Sequence, residues 1–430
     1  MKRLFTHTRI LTMTEEVAPS KTQAMLVEND KIAWIGPEEE APMADEIVDL
    51  RGRLMMPGWI NTHGHATMTL LRSFADDIPL KTWLEKYMWP IEARFGAEQV
   101  HWGTMLAATE MVRCGTTCFA DMYDHMDGVA EVVQESGLRA SLCRGVIGLG
   151  SQEERDWKRK EAYQFAKDWH GRADGRITTM MSPHAPYTCP PDYIEEIVAD
   201  AEELKLPIHI HLAETKGEVE GHIETYGMRP VKHLQLLGVF NRPTLIAHAV
   251  HVTEEEMEIL LQHDVKISHN PGSNLKLGSG IAPVPRMLAK GLRPSLGTDG
   301  AASNNNLDIM EEVRLAALIH KGSTMNPEVI PAWTALQMGT SYGAEALFLD
   351  HEIGTLEVGK MADFITLDLE KAHLRPAHDL ISLLVYSASR EDIQDVYING
   401  RPLMRNKELL TIDEERVLFE ADRTFQAVAP

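Results

Sequence analysis

The sequence predicts an α/β protein, a (β/α)8 TIM-like barrel joined to a small β-sandwich domain that both chain ends build together. Two observations predict it. Between about Gly115 and Gly300, short apolar runs alternate with longer segments of helical period, as repeated βα units of a parallel sheet require. On either side of that region the texture changes to short alternating pieces separated by turn residues, the pattern of antiparallel strands.

The barrel strands can be read off in order: "LMMPGWINTHGH", "GTTCFADMY", "LRASLCRGVIG", "RITTMMSPHAPYT", "LPIHIHLAET", "TLIAHAVHVT", "VKISHNPGSN" and "RPSLGTDG". Eight such candidates over about 250 residues match the count and size of a barrel whose reactive side chains gather at the C-terminal ends of its strands. Ahead of them "RILTMTEE", "AMLVENDKIAWIGP" and "EIVDLRGRLMMPG" read as strands, and behind them "IGTLEVGKMADFITLDLE" and "IQDVYINGRPLMRNKEL" do the same, with Asn399-Gly400 as a hairpin turn. The expected division is residues 1–56 and 350–430 for the β-sandwich domain with a C-terminal extension, and 57–349 for the barrel.

Composition narrows the partners. The 430 residues are 44% hydrophobic, enough for a large core, and no run approaches the roughly 18 to 20 apolar residues of a membrane helix. The opening "MKRLFTHTRILTMTEE" lacks the apolar block of a signal peptide, so a cytoplasmic protein is expected, with no membrane partner. A formal charge of −22 repels polyanions and speaks against nucleic acid. Cys114, Cys118, Cys143 and Cys189 form no CxxC pair and are expected to be buried, reduced thiols.

The polar residues at the strand ends carry the chemistry. In extended backbone, His63 and His65 of "THGH" point the same way and can hold one ion, with Gly64 letting the chain pass close. Alone, such a pair is more often two hydrogen-bonded histidines. Later strand ends add His209, His211 and Glu214 in "HIHLAET", His248 and His251 in "AHAVH", and Asp299 in "LGTDG". His209 and His251 are read as surface or core-satisfied side chains; His211, His248 and Asp299 join the first pair. Imidazoles with one carboxylate suit zinc or iron and leave a position for water, which such an ion acidifies. Glu214, three residues past His211, is placed to move protons. The constellation is hydrolytic.

These motifs, together with "LLRSFADDIPLKTWLEKYMWPIEARF", "HNPGSNLKLGSG", "GTDGAASNNNLDIMEE" and "GTLEVGKMADFITLD", resemble the amidohydrolase superfamily end to end, and within it the 5'-methylthioadenosine/S-adenosylhomocysteine deaminases. The resemblance implies His63, His65, His211 and Asp299 as ligands of one Zn2+ per subunit, with Fe2+ or Mn2+ as the other ions such donors accept. It implies that His248 positions or polarises the attacking hydroxide at C6 of adenine and that Glu214 protonates the neighbouring ring nitrogen. Asp299 then takes the water proton and ammonia leaves. It further implies that Glu92 reads the ribose, Trp83 packs on the nucleoside or thioether, His184 contacts the nucleoside and Arg144 meets the amino-acid tail of S-adenosylhomocysteine. Arg159, in "EERDWKRKEAYQ", reads as a solvated helix residue instead. The expected partner is a small nucleoside, and the family pattern admits a homo-oligomer.

Absences sharpen this. "RITTMMSPHAPYT" holds no lysine to bridge a second metal, which favours a single ion. The other zinc deaminase pattern, HxE with PCxxC, is missing, as are a GxSxG elbow, a phosphate loop and a dinucleotide-binding turn. Two rivals stand beside the deaminase. One is a relative hydrolysing another ring, such as guanine, a triazine or a pyrimidine. The other is a silent scaffold barrel, since fold alone never proves activity.

Overall fold

The computed structural model describes residues 1–19 and 21–429. The N-terminal strands are β1 (Lys2–Ile10), β2 (Gln23–Glu28), β3 (Lys31–Pro37), β4 (Glu46–Asp49) and β5 (Leu54–Pro57). The barrel follows with β6 (Trp59–Asn61), β7 (Thr116–Tyr123), β8 (Arg139–Val146), β9 (Ile177–Thr179), β10 (Ser182–Pro183), β11 (Ile208–Leu212), β12 (Thr244–His248), β13 (Lys266–His269) and β14 (Ser295–Leu296). The chain then returns through β15 (Phe364–Leu367), β16 (Ile393–Ile398), β17 (Arg401–Arg405) and β18 (Glu408–Leu409).

Strands β6 to β14 pair in parallel and close on themselves. β9 and β10 are one barrel strand interrupted at Met180 and Met181, and Met181 bridges to Ile208 of β11. The seam between first and last strands is sealed by Thr62 N–H donating to Leu296 O at 2.9 Å and Asp299 N–H donating to His63 O at 3.0 Å. All five residues of β11 and of β12 are buried, as expected where a parallel sheet is covered on both faces.

Strands from both ends form one connected nine-stranded arrangement folded over a shared core. β1 makes the fold possible: it pairs with β2 and β4 through its first half, bulges between Phe5 and Thr8, then pairs with β5 at Arg9 and Ile10. A strand that changes partners at a bulge turns the corner between two layers. Phe5, Phe364 and Tyr397 meet between the layers with ring centroids 4.6–5.1 Å apart. Asn399 and Gly400 join β16 to β17, both at positive φ (51° and 67°), the backbone that a two-residue hairpin of this twist needs.

The β-rich reading of the C-terminus omits two helices. Leu380–Tyr386 packs on the barrel helices Ile309–Thr324 and Ala332–Gly339, and Glu414–Gln426 lies along the helix Ala97–Arg113, tied by Gln99 Nε2 donating to Thr424 Oγ1 at 3.1 Å. At the N-terminal end of the barrel, Arg139 is fully buried against Asp363, with Nε to Oδ2 at 2.8 Å, and its Nη2 donates to Asn399 Oδ1 at 2.6 Å. This pair joins the barrel floor to the β-domain. All four cysteines are free and buried, and among the described residues no helix is long and apolar enough to cross a membrane.

Candidate active site and metal centre

The candidate ligands and proton carriers, with His184, stand at the C-terminal ends of five strands. His63 and His65 follow β6, His184 follows β10, His211 lies in β11 with Glu214 just beyond, His248 ends β12 and Asp299 follows β14. Parallel register sets β11 beside β12 so that His211 neighbours Ala247 and Leu212 neighbours His248. Ala213, His248 and Asp299 adopt left-handed φ of 53°, 78° and 62°, a conformation that costs non-glycine residues energy and recurs at functional sites.

The imidazoles are oriented from behind. His65 Nδ1 lies 2.6 Å from Met122 O and His211 Nδ1 lies 2.8 Å from His184 O. A carbonyl can only accept, so both Nδ1 atoms carry the proton and both Nε2 lone pairs point forward. Those two Nε2 atoms are 3.4 Å apart. Two neutral lone pairs do not face each other at that distance unless a cation or a proton stands between them. His63 Nε2, fully buried and without a hydrogen-bond partner, points to the same place.

Asp299 completes the group: its Oδ1 lies 3.2 Å from His65 Nε2 and 3.5 Å from His63 Nε2. Its Oδ2 accepts from Ser273 Oγ at 2.6 Å and Ser303 Oγ at 2.9 Å, which fixes the carboxylate plane. Ligand atoms of His63, His65 and Asp299 lie within 4.8 Å of one another, as do those of His63, His211 and His248. Three converging imidazole nitrogens and one carboxylate fit a divalent ion of the zinc kind. Burial pulls His65 down, but the hydrogen bond and charge of Asp299 outweigh it and hold His65 up to about 9. The same imidazoles outweigh burial at Asp299 and keep it well below the usual carboxylate range.

His248 differs from the others. Its Nδ1 faces the amide nitrogens of Asn270 at 3.2 Å and Asn274 at 2.9 Å. Amide N–H groups donate, so Nδ1 accepts and the proton sits on Nε2, which makes His248 a donor toward the site rather than a ligand. Its Nε2 lies 3.9 Å from Glu214. Glu214 is buried; burial and the nearby Asp299 charge push its carboxyl up to about 8, against a weak hydrogen bond from Ser279 Oγ at 3.3 Å. Glu218 fixes the turn that carries it, accepting from the Ala213 and Glu214 N–H groups at 2.8 Å each.

A cavity of about 380 Å³ opens onto this centre, lined by His65, His211, Glu214, His248 and Asp299 on one side and by Trp83, Glu92, Trp89 and Phe95 on the other. The far wall is the helical stretch 80–92, whose middle turn, Leu84–Met88, is π-helical. Such turns recur at functional sites. Glu92 accepts from Tyr123 Oη at 2.6 Å, and burial raises its pKa. His184 lines the cavity with Nδ1 held by Thr188 Oγ1 at 2.9 Å, and burial pushes it down to about 3.

Two arginines are held elsewhere. Arg144, at the end of β8, is buried and does not itself line the cavity. Its Nε pairs with Glu161 at 2.7 Å, its Nη2 with Asp124 at 2.8 Å, and its Nη1 donates to Gly145 O at 3.0 Å. Arg159 lies on the helix Gln152–Trp169, bonded through two nitrogens to Asp200 and through a third to Glu196, also outside the cavity. His251 is occupied by Ser279 O at 2.7 Å. Asn270, Ser273 and Asn274 of "HNPGSNLKLGSG" carry no sequence signal of these contacts, and His209, which reads from sequence as a surface or core-satisfied side chain, is fully buried.

A closed parallel barrel whose strand ends gather four imidazoles and two carboxylates around one cavity is the build of a barrel hydrolase. The chain belongs to the amidohydrolase family, whose pattern matches residues 54–403, and it is a hydrolase acting on C–N bonds of cyclic amidines. It is 52% identical over 386 residues to the 5-methylthioadenosine/S-adenosylhomocysteine deaminase of Halalkalibacterium halodurans, covering 89% of this chain and 88% of that one. A protein of the same description from Desulforamulus reducens is 48% identical over 414 residues, 96% of this chain and 95% of that one. Among solved structures, an adenosine deaminase from Xanthomonas campestris with bound zinc superposes with a TM-score of 0.93 at 34% identity, covering 99% of this chain and 98% of that one.

Proposed function

We propose that this chain deaminates 5'-thio-substituted adenosines, 5'-methylthioadenosine and S-adenosylhomocysteine, to the inosine analogues with release of ammonia. The observation that carries this reading is the cavity itself. It has a buried acid, Glu214, beside the converging imidazoles and Asp299 at one end and a half-buried carboxylate, Glu92, at the other, within one space suited to a nucleoside. The names of the relatives that match the chain nearly end to end agree with it.

His63, His65, His211 and Asp299 would hold one Zn2+. Such an ion, once bound, supplies the Lewis acidity that makes water nucleophilic near neutral pH. The chain's own residues do the rest. Glu214 holds its proton to about pH 8 and delivers it to the ring nitrogen beside the amino-bearing carbon, so that the ring can accept electrons as water adds. His248 presents an Nε2–H that orients the attacking oxygen. Asp299, held by two serine hydroxyls and kept ionised, takes the water proton for the departing amino group. Burial of Glu214 and His248 strengthens each of these contacts relative to water.

For the nucleoside, Glu92 offers a carboxylate oxygen to both hydroxyls of the ribose, and Trp83 packs on the apolar side. His184 contacts the base side, and Arg144 serves the amino-acid tail. The test is ammonia release from metal-loaded enzyme given 5'-methylthioadenosine, S-adenosylhomocysteine, adenosine, guanine and a triazine, for the native chain and Glu92→Ala. The reading expects turnover of the thio-adenosines and a selective loss on nucleosides in the variant. Turnover of the bare rings alone would assign the site to the ring-hydrolase rival, and silence throughout would assign it to a scaffold.

A further inference from the structure

His63 stands out among the three imidazoles whose Nε2 atoms converge. His65 and His211 lean their Nδ1 atoms on backbone carbonyls, but His63 Nδ1 meets another side chain, His209 Nε2, at 2.9 Å. Both rings are completely buried and lie roughly parallel, 28° apart with centroids at 5.0 Å. Two atoms at the far ends of this pair have no hydrogen-bond partner, His63 Nε2 on the cavity side and His209 Nδ1 on the core side.

The pair has only two neutral arrangements. In one, His209 Nε2–H donates to His63 Nδ1; the His63 proton then sits on Nε2, pointing at Asp299 Oδ1 3.5 Å away, and no lone pair faces the cavity. In the other, His63 Nδ1–H donates to His209 Nε2, the His63 Nε2 lone pair is free, and the His209 proton is forced onto Nδ1, where nothing accepts it. Burying a donor without a partner costs about 1–3 kcal/mol. A backbone carbonyl in place of His209 would have imposed the second arrangement outright; an imidazole permits both.

We propose that His209 is a positioning residue for the cation site, a two-state partner that sets the tautomer of His63 and is switched when a divalent ion takes the His63 Nε2 lone pair. The inference rests on the reading of His63 as a ligand. It separates His209 from an ordinary core histidine, because the arrangement that frees the His63 lone pair carries a buried N–H without a partner, a cost that only occupancy of the site offsets. In the metal-free protein an apolar side chain of similar volume at position 209 exchanges one buried unpartnered nitrogen, His209 Nδ1, for another, His63 Nδ1, so stability changes little.

The experiment measures Zn2+ affinity by chelator competition, together with the thermal midpoint of metal-free and metal-loaded protein, for native chain, His209→Leu and His209→Gln. Loss of a partner behind a ligand typically lowers metal affinity by about 10- to 100-fold. We expect that loss for His209→Leu, with a metal-free midpoint close to native. Substantial recovery is expected for His209→Gln, whose amide oxygen accepts from His63 Nδ1–H. Native affinity in His209→Leu overturns the proposal, as does a metal-free midpoint depressed in both variants, the mark of a purely structural residue. A native chain that binds no Zn2+ defeats the parent reading of the ligand set instead.

Discussion

The two ends of the barrel both bury charge, and they treat it in opposite ways. At the N-terminal end the Arg139 guanidinium is spent on Asp363, Asn399 and, at 3.8 Å, Glu352, while Asp363 Oδ1 also takes the Asn399 N–H at 2.8 Å. Around this guanidinium the chain supplies every partner itself. At the C-terminal end His63 Nε2 is left without a partner, the Nε2 atoms of His65 and His211 stand 3.4 Å apart, and Glu214 has one weak hydrogen bond. The paired charges at Arg139 hold the fold, and the open groups at the other end gather beside the cavity.

The comparison breaks most sharply at Glu214. Replacing it with Gln keeps the shape and removes the acid, so kcat should fall by about 10²- to 10⁴-fold, the usual contribution of a positioned acid. Its thermal midpoint should stay native or rise, since a carboxyl whose pKa is raised by folding from 4.5 to about 8 costs stability that accumulates as pH rises between those values. A large midpoint drop would place Glu214 with the self-satisfied end. The native enzyme carries the same signature in its pH profile. The raised pKa keeps the proton on Glu214 below about 8, so kcat should decline as pH rises through that value, and the declining limb should vanish from the residual rate of Glu214→Gln.

Arg139→Met is the opposite probe. It strands Asp363 in a buried position, and breaking such a pair from one side costs about 3–5 kcal/mol. Denaturant unfolding should show that loss while kcat and KM of the folded fraction remain native. Adding Asp363→Leu should return a good part of the stability, because the stranded charge, rather than the missing attraction, dominates the penalty. Loss of kcat in the single variant would mean that the floor is coupled to the site.

Legibility followed the same division. The eight barrel strands were readable because each is a short apolar run ended by polar residues, and His63, His65, His211, His248 and Asp299 could be placed because strand ends are where a barrel exposes side chains. Depth was not readable. His209 and His211 share one face of β11 by alternation, yet only His211 reaches the cavity, and a period of two says nothing about which layer a residue occupies. Nor could the sequence announce that Asn270 and Asn274 would reverse the tautomer of His248, since that depends on contacts 22 and 26 residues away in the chain. The π-helical turn at Leu84–Met88 and the helix at Leu380–Tyr386 are hidden for a local reason, being short, whereas Glu414–Gln426 does carry a helical signal, Asp413 as its cap and two glutamates in its first turn, that the β-rich reading passes over.

Arg144 sits between the two kinds of site and gives the smallest expected effect. Like Arg139 it is buried and paired, but its partner Asp124 belongs to the cavity wall and is half exposed, so the pair can open toward solvent. A carboxylate-bearing tail must compete with Asp124 and Glu161 for the guanidinium, and the exchange of one charged partner for another returns little net energy. Arg144→Gln should therefore raise KM for S-adenosylhomocysteine only about tenfold, the scale of one exposed charge-assisted contact, and leave 5'-methylthioadenosine within about twofold. Steady-state kinetics on both substrates decides it. Equal losses on the two would show that Arg144 shapes the β8 end as Arg139 shapes the floor, by holding its own neighbours rather than by meeting a substrate.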